Sequence, residues 1–230
     1  MGWYTKFTTI MAYNTFSPIV RNNLILCLDS VNVKSYPATG SAFYDISGYN
    51  HNISMSSVPS FTGVMNFDGV TNYGTMSYNP NFDLSSTNFT IEGYFKANTL
   101  SSVGIISKDT FGVNFDWALY ILNSTTLRFY SNGNATFVDG VVSLTAGTWY
   151  HYVVTSISGT ITIYCNGVQV GQGAMSVSNS SQVAITVGCL SWNNPGGFLN
   201  GSISSIRIYR YGLTAAEVAT NYSSLKNRFV

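Results

Sequence analysis

The chain has 230 residues, a formal net charge of +1 and only 8% charged residues, against roughly 25% in an ordinary soluble domain. It shows no basic cluster, so we expect neither nucleic acid nor an anionic membrane surface as a partner. No stretch is long enough for a membrane span, and the first ten residues lack the apolar run of a signal peptide. A chain of this length can fold as one all-β domain whose core needs no disulfide or metal.

The first 22 residues differ in composition from the rest. They mix aromatic side chains with Thr and Asn, show no clear period, and reach a break at Pro18. We interpret residues 1–22 as an extended arm and residues 23–230 as the domain. Aromatic side chains often dominate interface energies, so the arm predicts attachment to a partner or, alternatively, an extra edge strand on its own domain. The attachment residues would be Trp3, Tyr4, Phe7, Tyr13 and Phe16.

From Leu24 onward, short β-rich runs alternate with turn clusters, which is typical of a sandwich or barrel. Residues 89–96 alternate with a period of two, which predicts a strand with one buried face. Glu92 falls on the outer face of that strand, where Lys96 could pair with it. Trp117 and Trp149 lie in strand-like runs and are predicted to be core residues.

Two-residue turns divide the second half of the chain into hairpins. Asn166-Gly167 is the strongest of these signals because both residue types accept positive φ. Ser158-Gly159 and Asn132-Gly133 join other predicted strands in the same way. The sequence therefore predicts an antiparallel meander over residues 152–170 and a hairpin over residues 127–138.

Three cysteines, Cys27, Cys165 and Cys189, lie in apolar runs without metal-ligand spacing. We predict that they are buried free thiols, which fits synthesis in a reducing cytoplasm. Near the end, Thr214 and Glu217 form a capping box, which predicts the start of a short helix.

The order of these elements resembles the laminin-G-like branch of the concanavalin A-like lectin and glucanase superfamily, over about residues 24–229. The resemblance implies an all-β, two-sheet antiparallel jelly-roll sandwich with a short C-terminal helix, preceded by the extended N-terminal arm. It does not fix the function, because such folds carry different sites in different members. The matching segments are Leu24–Asp29 with Tyr44–His51, Met65–Gly69, Phe89–Phe95, Gly147–His151 with Tyr164–Gly167, and Asn200–Tyr209 with Leu213–Glu217.

Catalysis is not expected. Retaining glucanases need two carboxyl groups about 5 Å apart, and the strand that resembles theirs offers Glu92 alone. A serine or cysteine nucleophile needs a base, and the two histidines, His51 and His151, both have sequence contexts typical of structural residues. We therefore predict that the protein is not an enzyme and has no catalytic residues.

Many laminin-G-like relatives bind calcium through loop Asp and Asn side chains, and the resemblance places Asp68 and Asn72 in the matching loop. Asn72 stands where a second acid is usual, and Ser204 and Ser205 replace a common acidic pair. We predict no cofactor and no metal, with Asp68 and Asn72 as the only calcium ligands that the sequence offers. Otherwise Asp68 is a turn residue bonded to nearby amides.

A glycan site would need an exposed aromatic ring beside polar groups, and the loop at Trp192, Asn193 and Asn194 has this composition. The alternative is that Trp192 folds back onto the sandwich.

The fold suits display outside cells, but the free thiols and the missing signal peptide indicate synthesis in a cytoplasm. A tailed-phage particle satisfies both conditions, since its proteins are made in the host cytoplasm. We predict a virion surface protein, either a capsid decoration protein bound through its arm to the major capsid protein or a tail or fibre component. A homo-oligomer, such as a trimer, is expected. The alternative is a lectin-like module that binds surface glycans.

Overall fold

The computed structural model describes residues 19–85, 87–110, 114–132, 135–178, 182–191 and 195–228. Short strands dominate it and pair antiparallel throughout. In chain order the strands are β1 (Leu24–Asp29), β2 (Ala42–Phe43), β3 (Ile53–Met55), β4 (Ser60–Phe61), β5 (Met65–Asp68), β6 (Gly74–Met76), β7 (Phe89–Ala97), β8 (Val103–Thr110), β9 (Asn114–Asn123), β10 (Thr126–Ser131), β11 (Thr136–Val141), β12 (Trp149–Ile157), β13 (Thr160–Cys165), β14 (Val168–Ala174), β15 (Ile185–Val187) and β16 (Asn200–Tyr209).

The strands form two eight-stranded sheets. The first has the order β14-β13-β12-β7-β16-β5-β4, with β1 pairing on β16 beside β5. The second has the order β11-β10-β9-β8-β15-β6-β3-β2. Many neighbours in each sheet are far apart in sequence, as expected for a jelly roll. The predicted two-sheet sandwich is confirmed.

The core lies between the two sheets and is built from alternate residues of their strands. In β7, Phe89, Ile91 and Phe95 point inward and are completely buried. In the second sheet, Trp117 of β9 packs against Phe129 of the neighbouring strand β10, with ring centroids 6.3 Å apart. The prediction that Trp117 is a core residue is confirmed. Burial of so many large apolar side chains is the main force that holds the sheets together.

The predicted hairpins are present. Asn166 and Gly167 have φ values of 50° and 78°, and they join β13 to β14. Ser158 and Gly159 do the same between β12 and β13, with φ values of 50° and 78°. Both residues of a type I′ turn need positive φ, so these dipeptides fix the register of the strands on either side.

The terminal strands β11 and β14, one from each sheet, approach each other closely. A Cβ atom at Gly171 of β14 would lie 2.1 Å from the carbonyl oxygen of Asp139 in β11. Gly140 is similarly crowded by Ile163 and Val170. We call this contact the β11–β14 seam. Only glycine allows the terminal strands of the two sheets to come so near.

The three cysteines are free and buried, as predicted. Burial raises the pKa of the Cys165 and Cys189 thiols to about 12, which keeps them protonated and unreactive at neutral pH. Within the described residues, the helices are all too short or too polar to span a bilayer.

Candidate binding site

One helix, α1 (Ala215–Leu225), lies across the outer face of the first sheet. It begins with the predicted capping box, in which the Glu217 amide donates to Thr214 Oγ1 and the Thr214 amide donates to the Glu217 carboxylate. Val218 and Leu213 pack on Tyr209, Val153 and other outer-face side chains. The helix therefore covers a part of the sheet that would otherwise face solvent.

Beneath α1 lies a buried polar group of side chains, here called the Glu92 cluster: Glu92, His151, Arg207, Tyr209 and Asn221. Glu92 Oε1 accepts a hydrogen bond from His151 Nε2 at 2.9 Å. Glu92 Oε2 accepts from Asn221 Nδ2 at 2.7 Å and from the Tyr209 hydroxyl at 3.2 Å. Since Asn221 belongs to the helix and the other residues to strands, the cluster ties α1 to the sheet.

Glu92 is ionised in this environment. Burial alone would raise its pKa, but the hydrogen bond and charge of His151, the charge of Arg207 and the Asn221 hydrogen bond together lower it below the ordinary value. Arg207 lies opposite Glu92 in the β16–β7 register and is also buried. Burial would lower the pKa of Arg207, yet the Glu92 carboxylate raises it. The two opposite charges attract each other across neighbouring strands, but Nε and Nη1 of Arg207 are buried without a hydrogen-bond partner among the described residues.

These contacts correct the prediction for Glu92. The residue does lie on the outer face of β7, but it is completely buried, and its partners are His151 and Asn221. Lys96 instead holds its ammonium group 5.3 Å from the centre of the Trp149 ring. A period of two shows which face a residue occupies, and it cannot show that a distant helix covers that face.

Next to the cluster, an open pocket lies between the end of α1 and the first sheet. We call it the Trp149 pocket. It has a volume of about 390 Å³. Strand and loop residues form one wall, and the last turn of α1 with the residues after it forms the other. It is lined by Tyr94, Thr148, Trp149, Asn166, Tyr222, Lys226 and Asn227.

The sequence reasoning missed this pocket because it placed Trp149 in the core. Trp149 is the first residue of β12, follows an exposed loop, and is only partly buried. The signal available in the sequence was this position at the strand end, where a side chain has neighbours on fewer sides than in the strand centre. Trp117 lies within β9, where neighbours surround it, and is completely buried.

The chemistry of the pocket is aromatic and polar. Trp149 and Tyr222 present ring faces and edges, Asn166 and Asn227 carry amide groups, and Lys226 holds its ammonium 5.7 Å from the Tyr222 ring. No carboxylate is among its described lining residues. Aromatic walls with a few polar groups bind and orient small ligands. The arrangement can hold a ligand but presents no acid and base pair for hydrolysis.

The Asp68 side chain bonds the residues of its own turn. Asp68 Oδ1 accepts hydrogen bonds from the amides of Val70, Thr71 and Asn72, and Oδ2 accepts from the Thr71 hydroxyl. Asn72 Oδ1 accepts from the Asp68 amide, and its Nδ2 donates to Ser57. Burial opposes ionisation and is the largest single influence, but the hydrogen bonds together outweigh it and lower the pKa of Asp68 well below its ordinary value.

Asp68 is the one carboxylate of this loop, over residues 67–73. Across the described residues, no three His, Cys, Asp or Glu side chains come together as a metal site. The alternative role proposed for Asp68, a turn residue bonded to nearby amides, is what the structure shows.

Two sets of predicted site residues lie outside the described residues. These are the arm residues Trp3, Tyr4, Phe7, Tyr13 and Phe16, and the loop residues Trp192, Asn193 and Asn194. Leu190 and Gly196, on either side of that loop, form an antiparallel bridge. Of the residues 19–22, Val20 donates its amide to Asn221 Oδ1 at 2.8 Å.

A family model for the concanavalin A-like lectin/glucanases superfamily, of the laminin G type, matches residues 68–219, which is more than half of the chain. The chain belongs to the concanavalin A-like lectin/glucanases superfamily. The match covers β6 to β16 and the first five residues of α1, and so includes the Glu92 cluster except Asn221 and four of the seven residues that line the Trp149 pocket. No curated protein matches the sequence.

Solved structures share the fold of this superfamily member at low identity. The binding domain of botulinum neurotoxin DC in complex with SialylT has a TM-score of 0.66 and 19% identity, over 89% of this chain and 52% of that one. The binding domain of Paraclostridial mosquitocidal protein 1 has a TM-score of 0.61 and 18% identity, over 90% of this chain and 53% of that one. Trypanosoma rangeli sialidase in complex with sialic acid has a TM-score of 0.68 and 15% identity, over 89% of this chain and 33% of that one.

The chain therefore spans about half the length of the two toxin binding domains and a third of the sialidase. Together these matches establish a lectin-like fold, as the sequence predicted.

Proposed function

We propose that this domain is a non-catalytic, glycan-binding module and that its ligand lies in the Trp149 pocket. The observation that carries the proposal is the pocket itself: aromatic rings, two amide groups and an ammonium group line a cleft of about 390 Å³. Sugar rings combine apolar C–H faces with hydroxyl groups, so they can stack on aromatic rings while the amides bond the hydroxyls.

The state of Glu92 supports a binding role over hydrolysis. Its carboxylate is sealed under α1 and accepts hydrogen bonds from His151, Asn221 and Tyr209. A glycosidase acid must reach the leaving oxygen of the substrate. Glu92 has no path to a substrate while α1 is in place. The fold-level likeness to toxin binding domains and to a sialidase, one of them in complex with SialylT and one with sialic acid, is consistent with sugar recognition.

The experiment is a glycan panel screened with the purified domain, followed by calorimetry on the glycans that bind. Trp149→Ala should weaken binding by about tenfold or more, as expected for an aromatic anchor. Asn227→Ala should weaken it less. Tyr44→Ala, which removes an exposed aromatic ring elsewhere, is the matched control and should leave affinity unchanged. Equal affinity of the Trp149→Ala and Tyr44→Ala variants would place the ligand outside this pocket, and no binding by any glycan would refute the proposal.

We also propose that the domain is displayed on a virion of a tailed phage, with decoration of the capsid as the first choice and a tail or fibre position as the second. Three buried free thiols support synthesis in a reducing cytoplasm. A surface with so few charges has little repulsion of its own and suits a protein held in an assembly. Residues 1–22 would attach it to the major capsid protein, in a homo-oligomer such as a trimer.

Quantification of the chain in purified particles tests this second proposal. Hundreds of copies per particle would support decoration, and a handful would support the tail. Absence from particles would refute virion display but would leave glycan binding by the isolated domain untouched. Deletion of residues 1–18 should abolish incorporation without changing the melting temperature. If the truncated chain still enters particles, the arm is not the anchor.

A further inference from the structure

His51 lies at the edge of a second pocket, and it also packs against neighbouring rings. It ends the loop between β2 and β3, which is organised around Asp45. The Asp45 carboxylate accepts hydrogen bonds from the amides of Cys27, Ser47 and His51. Asp45 thus organises the backbone of this loop, and the imidazole of His51 is not among its partners.

The His51 ring is held in one orientation and one tautomer. Its Nδ1 lies 2.8 Å from the carbonyl oxygen of Ile25. A carbonyl can only accept, so Nδ1 carries the proton and Nε2 of the neutral ring is an acceptor. Tyr49 stacks on the ring with centroids 5.7 Å apart, and Phe82 makes an edge contact with centroids 4.7 Å apart. The side chain cannot turn Nε2 away without losing these contacts.

Nε2 has no hydrogen-bond partner among the described residues, yet it is not one of the sealed polar atoms of the structure. The residue is only 6% exposed, and its remaining access is to a pocket of about 260 Å³, here called the His51 pocket. A nearly buried acceptor is therefore directed at an open cleft. The cleft is lined by Asn50, His51, Asn52, Met76, Ser77, Tyr78 and Asn79.

The asparagines of this pocket supply the complementary donors. Asn50 Oδ1 accepts from Asn52 Nδ2, and Asn79 Oδ1 accepts from the Asn81 amide. These bonds assign the amide orientations and leave Nδ2 of Asn50 and of Asn79 without a described acceptor. None of the lining side chains is an acid, a lysine or an arginine. The pocket thus offers one fixed acceptor and two donor groups, and the charged pair of Asp83 and Lys108 contacts its Tyr78 wall without lining it.

We infer that the His51 pocket binds an uncharged, hydroxyl-bearing ligand, a sugar or a polyol. A ligand hydroxyl donates to His51 Nε2, and ligand oxygens accept from the amide nitrogens of Asn50 and Asn79. An anion would find no cation here. A metal ion would find a single imidazole and no carboxylate. This site is separate from the Trp149 pocket and does not depend on the function proposed for it.

Imidazole ¹⁵N NMR tests the inference directly, because the chain has only two histidines. The full-length protein is titrated with glucose, with galactose and, in a separate arm, with glycerol. We expect the His51 Nε2 resonance to move saturably in at least one arm, and the two arms distinguish a sugar from a simple polyol. His151 is completely buried, so its resonances should stay fixed and serve as an internal control.

Three results would overturn the inference. They are no movement of His51 Nε2 with any of the three compounds, equal movement of His51 and His151, and a response to added Zn²⁺ alone. Any of these would show that the cleft does not recognise hydroxyl groups.

Two variants check that the pocket causes the effect. Ser77→Trp puts a large ring in the lining without removing a described hydrogen bond, and it should abolish the shift. Ser101→Trp, at an exposed loop position elsewhere, is its matched control and should keep the shift. His51→Phe keeps the ring stacking and should weaken affinity about three- to tenfold, the usual effect of one lost hydrogen bond. A Ser77→Trp protein that still binds would refute the site.

Discussion

Two carboxylates in this protein accept several hydrogen bonds each, and they differ in what surrounds them. Glu92 lies under α1 and is bonded by three side chains, with Arg207 as its counter-charge. Asp68 lies on an exposed turn and is bonded mainly by backbone amides of the next few residues. Glu92 therefore joins distant parts of the chain, whereas Asp68 organises one loop. In both, hydrogen bonds within the protein engage both oxygens of the carboxylate.

Loss of Glu92 should have the largest effect. Glu92→Ala removes the buried partner of His151 and leaves the charge of Arg207 buried without the carboxylate opposite it. Breaking a buried ion pair from one side costs about 3–5 kcal/mol of unfolding free energy. Urea denaturation measures the loss. Asp139→Ala is the matched control, because Asp139 pairs with Arg128 in a partly exposed site on the second sheet, and such pairs contribute about 1 kcal/mol or less. Equal losses in the two variants would mean that the Glu92 cluster does not hold the fold.

The attachment of α1 can be weakened without touching the cluster. Thr214→Ala removes the oxygen that accepts the Glu217 amide, and loss of such a cap costs about 1 kcal/mol. The unfolding midpoint in urea should fall accordingly. Thr220→Ala provides the control, since the Thr220 hydroxyl bonds only the Ala216 carbonyl within the helix. A Thr214→Ala protein as stable as the control would show that the capping box contributes nothing.

The smallest effect is expected at Asp68 and depends on pH. The pKa of Asp68 is lowered in the folded protein, so its ionised form adds stability above the unfolded value of about 4, and this contribution disappears as the pH falls below that value. Asp68→Asn should therefore be less stable than the wild type at pH 7, and the difference should shrink in acid. Melting temperatures from pH 7 to pH 2 measure it. A difference that grows in acid would contradict the assignment.

The sequence predicted those features whose cause is local. Asn166-Gly167 predicted a hairpin because both residue types accept the positive φ that a two-residue turn requires. Thr214 and Glu217 predicted the helix start because a capping box lies within four residues. The burial of Trp117 followed from its place in a strand centre.

The remaining features depend on contacts between distant residues. Glu92 and Asn221 are 129 positions apart, and no periodicity relates them. The Trp149 pocket likewise needs Tyr222 and Lys226 of the chain end beside a strand that begins some 70 positions earlier. The His51 pocket depends on the Ile25 carbonyl, 26 positions away, to fix the tautomer of the imidazole. Such sites become visible only when the topology is known.

The β11–β14 seam has a consequence for how the protein behaves at high concentration. The last strand of a sheet normally presents unpaired N–H and C=O groups, to which a neighbouring chain can add a strand. Here Gly171 and Gly140 bring the last strand of each sheet against the other, so each edge shields its counterpart. A surface with few charges has little electrostatic defence against self-association. The glycines of this seam instead protect the two edges sterically, because the close approach that they allow leaves no room there for an added strand.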